Sequence, residues 1–189
     1  TASTATQTLT GGLTVSGGTF TCSTGAVAIG TDLDVSSGTF TGSTGPVTVT
    51  GNVDLSGGTL TAPSTGAFDV AGNWTRSGGT FNANGGTVTF NLAVGTQTVD
   101  CGGATFNGLA HSEAGTLQPV VNPLVIGGGL TNTNGTFNAN GFAVTVTGLT
   151  TVQLGTYRTE TGTQTLTGGL MLIGGSFIGS TGTVNAGSV

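Results

Sequence analysis

The chain has 189 residues, of which only 5% are charged; there is no lysine, the two basic residues are Arg76 and Arg158, and the net charge is −5. Nucleic-acid binding needs a basic footprint that displaces counterions from phosphates, so that class is excluded. The 38 glycines follow no three-residue period and there are only 4 prolines, which excludes collagen, while 35% apolar residues argue against a disordered polar chain.

In chain order, the first predicted unit places Leu13 and Val15 before Phe20, and Val27 and Ile29 after it. The next repeats the alternation with Leu33, Val35, Phe40, Val47 and Val49, and the third with Val53, Leu55, Leu60, Phe68 and Val70. Successive strand residues point to opposite faces, so each unit sends about five apolar side chains inward. Glycines fall between the strands, where the chain turns or passes close to a neighbouring backbone. The anchors SGGTF, SSGTF, SGGTL, SGGTF, GGATF, TNGTF, QLGTY and IGGSF end at Phe20, Phe40, Leu60, Phe81, Phe106, Phe137, Tyr157 and Phe177. Their spacings are 20, 20, 21, 25, 31, 20 and 20 residues. A unit of this length cannot bury its own apolar face, but stacked copies can. The expected fold is an all-β parallel β-solenoid of about eight coils, forming a single domain over residues 1–189. The segment GLAHSEAGTLQPVVNP breaks the anchor spacing, so an irregular loop or enlarged coil is expected around 107–129.

Residues 7–27 (QTLTGGLTVSGGTFTCSTGAV) and 164–184 (QTLTGGLMLIGGSFIGSTGTV) are identical at 14 of 21 positions. Near-copies at the two ends, with no atypical capping coil between them and the termini, point to head-to-tail stacking of subunits or to a longer solenoid. No signal peptide is visible before Thr1, as expected if a leader has been removed from a secreted protein. No apolar run reaches the roughly 18 residues of a membrane span, so no insertion is expected.

The run GGTFNANGGTVTFN at 78–91, with GTQTV at 95–99 and GTQTL at 162–166, resembles the repeat regions of large secreted or cell-surface bacterial β-solenoid proteins. The resemblance covers most of the chain. It implies an extracellular adhesive or scaffolding role and transfers no catalytic residue.

Some parallel β-helix proteins are polysaccharide lyases or hydrolases, whose sites need clustered carboxylates. The acids here are Asp32, Asp34, Asp54, Asp69, Asp100, Glu113 and Glu160. Asp34 and Asp54 fall at the same point of successive coils and read as a solvated pair rather than a calcium site, which wants six to eight oxygens. His111, Ser112 and Glu113 are adjacent, and adjacent residues rarely converge into a triad; His111 reads as a solvent-exposed histidine. No enzyme activity, cofactor or metal is expected. Arg76 falls in register with the inward Leu55, so either the strand bulges or the side chain escapes to a corner; Trp74 reads as core. Cys22 and Cys101 lie too many coils apart for an intrachain bridge and read as buried fillers or as intersubunit partners. Asn73 and Asn134 head the sequons Asn73-Trp74-Thr75 and Asn134-Gly135-Thr136 and are candidate N-glycosylation sites.

Thr19 and Thr21 flank Phe20, Thr39 and Thr41 flank Phe40, and Thr59 and Thr61 flank Leu60. These six should form an outward ladder spaced about 6.7 Å along each strand and about 4.8 Å between coils. The pattern resembles the ice-binding face of β-solenoid antifreeze proteins. The expected function is thus an extracellular structural protein, a subunit of a stacked filament or a segment of a surface scaffold, with itself as partner through the terminal coils and glycans as further partners. Ice binding through the threonine face is one alternative, and an adhesin or carbohydrate-binding module is another.

Overall fold

A computed structural model describes residues 4–189. They form 27 short strands and, among the described residues, no helix. The strands come three to a coil, and registers between successive coils advance by 20 residues (Leu33 against Leu13) or 21 (Trp74 against Val53). The fold is an all-β parallel β-solenoid of about nine turns. Its residues gather into two compact units, one running to Thr89 and the other from Phe90.

In the first unit, one ladder stacks Gln7–Leu9, Val27–Ile29, Val47–Val49 and Phe68–Val70. A second stacks Leu13–Val15, Leu33–Val35, Val53–Leu55 and Trp74–Arg76. The third stacks Thr19–Thr21, Thr39–Thr41, Thr59–Thr61 and Thr80–Asn82. The anchors Phe20, Phe40, Leu60 and Phe81 form one inward column of that third ladder. Phe20 stacks on Phe40 at 5.7 Å along that column, and rings also meet across the interior, Phe68 against Trp74 edge-on at 5.7 Å and Trp74 against Phe81 at 4.9 Å. Each fully buried ring of this kind is worth roughly 1.5–3 kcal/mol in burial, and an aromatic pair about 0.5–1.5 kcal/mol more.

The corners explain the glycines. A Cβ on Gly45 would lie 2.1 Å from the carbonyl oxygen of Gly25, so the recurring Ser-Thr-Gly corner must end in glycine for coils to stack. Gly79 combines a φ of +63° with a similar close approach to Gly57. At another corner Asp32 Oδ1 accepts from the Asn52 amide at 2.6 Å, and Asn52 Oδ1 accepts from the Asn73 amide at 2.8 Å, a ladder of side chains that satisfies donors the strands leave over.

In the second unit, the first ladder stacks Gly108–His111, Leu130–Asn132, Thr150–Val152 and Leu170–Leu172. Another stacks Thr96–Asp100, Thr116–Pro119, Thr136–Asn138, Thr156–Arg158 and Ser176–Ile178. The last stacks Thr105–Phe106, Leu124–Ile126, Val144–Val146, Gln164–Leu166 and Val184–Ala186. Where a loop or enlarged coil was expected at 107–129, the chain instead carries three strands, Gly108–His111, Thr116–Pro119 and Leu124–Ile126, at ordinary spacing. The anchor spacing misleads because it mixes two columns. Phe106 sits beneath Ile126, whereas Leu117 sits beneath Phe137, Tyr157 and Phe177 at a constant 20-residue step. Gly115-Thr116-Leu117 is therefore the missed anchor, and with it the count rises from eight coils to about nine.

One corner of this unit is strained. Val121 has a φ of +69° and the Asn122 amide donates to the Val120 carbonyl at 2.8 Å, a γ-turn with a β-branched residue at its centre. Val121 is 72% exposed, so little packing holds it there. Replacing it with glycine relieves strain of about 1–3 kcal/mol against a cost of about 1 kcal/mol in unfolded-state entropy. Val121→Gly should thus raise stability by about 1 kcal/mol in urea unfolding; a loss would show that the side chain is favourably packed.

Candidate functional site

The ladder Thr19–Thr21, Thr39–Thr41, Thr59–Thr61 brings all six singled-out threonines onto one face. Thr19, Thr39 and Thr59 form one rank and Thr21, Thr41 and Thr61 the other, with Phe20, Phe40 and Leu60 pointing inward between them. Thr19 and Thr21 are exposed, and the rest are half-covered by their own neighbours. Thr80 extends the first rank, while Asn82 ends the second and donates to Thr61 Oγ1 at 3.4 Å. The face is chemically uniform: hydroxyls and methyls at strand spacing, with no charge among them. It can order water or meet a flat hydroxylated surface.

The acids do not converge. Asp34 and Asp54 are stacked on the second ladder of the first unit. Desolvation is the main cause raising the Asp54 carboxyl above the usual range, helped by the charges of Asp34 and Asp32 and opposed by a hydrogen bond from Thr75. Asp69 is likewise raised by desolvation and opposed by Thr89. Among the described residues, no three His, Cys, Asp or Glu side chains gather where they could hold a metal ion. Arg158 and Glu160 form an exposed ion pair at 3.3 Å, a geometry worth about 0–1 kcal/mol.

His111 is not the exposed histidine that the sequence suggests. It ends the strand Gly108–His111 with 0% exposure, and its Nδ1 lies 2.8 Å from Asn132 Oδ1 on the next coil. Ser112 is half-buried and Glu113 exposed, so the three adjacent residues diverge. The thiols of Cys22 and Cys101 are free and buried. Burial pushes the Cys22 thiol up to about 11 and also raises that of Cys101, whose Sγ donates to the Pro123 carbonyl at 3.3 Å, so both are poor nucleophiles. Trp74 is core at 1% exposure. Arg76 keeps register with Leu55 without a bulge, and its guanidinium turns to the corner and donates to the Gly79 carbonyl. Asn73 and Asn134 have exposed side chains; Asn134 Oδ1 accepts from the Gly135 amide at 2.9 Å.

Sequence reasoning missed a set of polar side chains inside the second unit: Gln97, His111, Asn132, Thr150 and Gln164, each essentially fully buried. Stepping by 20 or 21 residues along the columns reveals them, because Gln97 lies under Leu117, His111 under Asn132 and Gln164 over Val144. Most are satisfied. Gln164 Nε2 donates to the Gly162 carbonyl at 2.7 Å and to that of Phe142 at 3.2 Å, while its Oε1 accepts from the Tyr157 hydroxyl. Burial holds that phenol well above its usual range, so it stays a donor.

Compared with known proteins, the chain matches no family model, no curated protein and no solved structure.

The Tyr157–Gln164 bond has a measurable consequence. Tyr157→Phe removes the donor and leaves Gln164 Oε1 buried without it, which should cost about 1–3 kcal/mol in urea unfolding. A change within error would mean that another donor takes its place.

Proposed function

We propose that this protein is an extracellular or cell-surface structural element, whose coils stack on coils of the same kind from a second copy. The observation that supports this most is the match between residues 7–27 and 164–184, identical at 14 of 21 positions, so that coils of one kind recur along the chain. Leu172, 49% exposed, and Phe177, half-buried, belong to inward columns that fully bury Val152 and Tyr157 in the preceding coil. A further coil in parallel register would cover both and pair the strand edges Leu170–Leu172 and Ser176–Ile178, whose backbone donors and acceptors favour such addition. The likeness of the 78–91 run to repeat regions of bacterial surface β-solenoids supports the same reading and the extracellular location, with glycans on Asn73 and Asn134 as its decoration. Negative-stain microscopy and sedimentation of the purified protein should reveal fibres or concentration-dependent oligomers, and Leu172→Asp should disperse them. Monodisperse wild-type protein at all concentrations would overturn self-stacking.

The threonine face supports a second reading, ice binding. Its two ranks lie in register over three coils and hold hydroxyl and methyl groups alone. A surface of this kind can hold ordered water in a lattice matching ice. Wild-type protein should then inhibit ice recrystallisation, and Thr39→Lys or Thr41→Lys should abolish the effect without changing the fold; an inactive wild type sinks this reading.

A further inference from the structure

The interior of the second unit holds the chain's single histidine, in a site built for a neutral ring. Asn132 Nδ2 donates to the Thr156 carbonyl at 3.0 Å, which turns Asn132 Oδ1 toward His111. An acceptor facing Nδ1 requires that Nδ1 carry the proton. The other nitrogen, Nε2, is buried and finds no hydrogen-bond partner among the described residues. A bare lone pair there carries the desolvation cost of a neutral acceptor, which is far smaller than that of a buried charge. A second proton would place a cationic N–H in the interior with nothing to accept it, which is expensive.

We infer that His111 and Asn132 form an acid-sensitive latch: the coils around them stay closed while the imidazole is neutral and open when it must take a proton. The surroundings offer the cation almost no help. The strands stacked with it, Leu130–Asn132 and Thr150–Val152, carry no titratable side chain, nor do Thr116–Pro119, Leu124–Ile126 and Thr136–Asn138. In Thr156–Arg158, Tyr157 is a buried neutral phenol, and Arg158 is exposed and paired with Glu160. Glu113, two residues on, is the one acid that favours the charged ring, and it is exposed to solvent. Desolvation outweighs both Glu113 and the Asn132 bond, so the folded ring titrates below its ordinary range.

The sign follows from linkage. A histidine whose folded value is depressed leaves stability untouched above its unfolded value near 6.5; below it, the opened state alone takes the proton and stability falls until the folded value is reached. Across that window, the opened population rises about tenfold per pH unit. The first unit carries no histidine, so this proton uptake has no counterpart there.

The test uses the full chain. Because His111 is the only histidine, its ring gives one set of NMR signals, which should keep the neutral Nδ1–H pattern while the fold persists. Hydrogen exchange, corrected for the intrinsic pH effect, should show Leu109, Leu130 and Val152 losing protection about tenfold per pH unit below 6.5, while Phe40 and Val49 keep theirs. In His111→Gln that pH dependence should vanish. A ring that titrates near 6.5 with the amide pattern unchanged would overturn the latch, even if the variant fails to fold. So would equal loss of protection in both units, or loss that persists in His111→Gln.

Discussion

Everything in this fold depends on one requirement: the backbone of each coil must bond to the next in parallel register. Parallel ladders tolerate little local error, because a one-residue slip turns every inward side chain outward. Holding register over successive coils favours inward positions stacked on residues of similar size, as Ile29, Val49 and Val70 follow one another and Phe137, Tyr157 and Phe177 do. It also forces the corners inward to van der Waals limits. At Gly45 the neighbouring coil is so close that any side chain would strike it, so the composition of the chain follows from the stacking distance.

Within that frame the two units satisfy their interiors differently. The first is filled by rings and branched aliphatics, with Phe20, Phe40, Phe68, Trp74 and Phe81 meeting in a chain of contacts. Dispersion and apolar burial suffice there, and no particular proton must be in place. The second places Gln97, His111, Asn132 and Gln164 at inward positions. A buried amide contributes little net stability even when satisfied, but it tolerates only the neighbour that completes its bonds. In a chain whose coils resemble one another, a pair that spans two coils discriminates the right coil from its near-copies, as Asn132 answers His111.

The fold was legible because the strand period and the coil period act together: alternation reveals the inward residues, and a 20-residue step stacks them. The threonine ranks were legible for the same reason, since residues flanking an inward ring must point outward. What escaped was phase. The Gly-Thr-aromatic anchor occupies the third strand of each coil in Thr19–Thr21 and its neighbours but the ladder of Thr136–Asn138 and Thr156–Arg158 later on, and Phe106 belongs to neither of these columns. Following the anchor rather than the whole coil makes an ordinary coil resemble a loop. His111 was then assigned to solvent, although the 21-residue step to Asn132 and the next step to Val152 mark it as inward.

A solenoid of this kind separates two sorts of information. Inward positions answer to the stack, so an aromatic or valine there says only that a coil is present. Outward positions are free of that demand, and their content is the better guide to what the surface meets. In the first unit, one outward face keeps threonine at six successive opportunities, whereas the outward residues of Leu124–Ile126, Val144–Val146, Gln164–Leu166 and Val184–Ala186 run Val125, Thr145, Thr165 and Asn185. Uniformity where nothing in the stack requires it is a stronger signal than uniformity in the core. The converse holds inside: a polar residue at a position where the stack calls for an apolar one, as at His111, is where a requirement other than packing has entered.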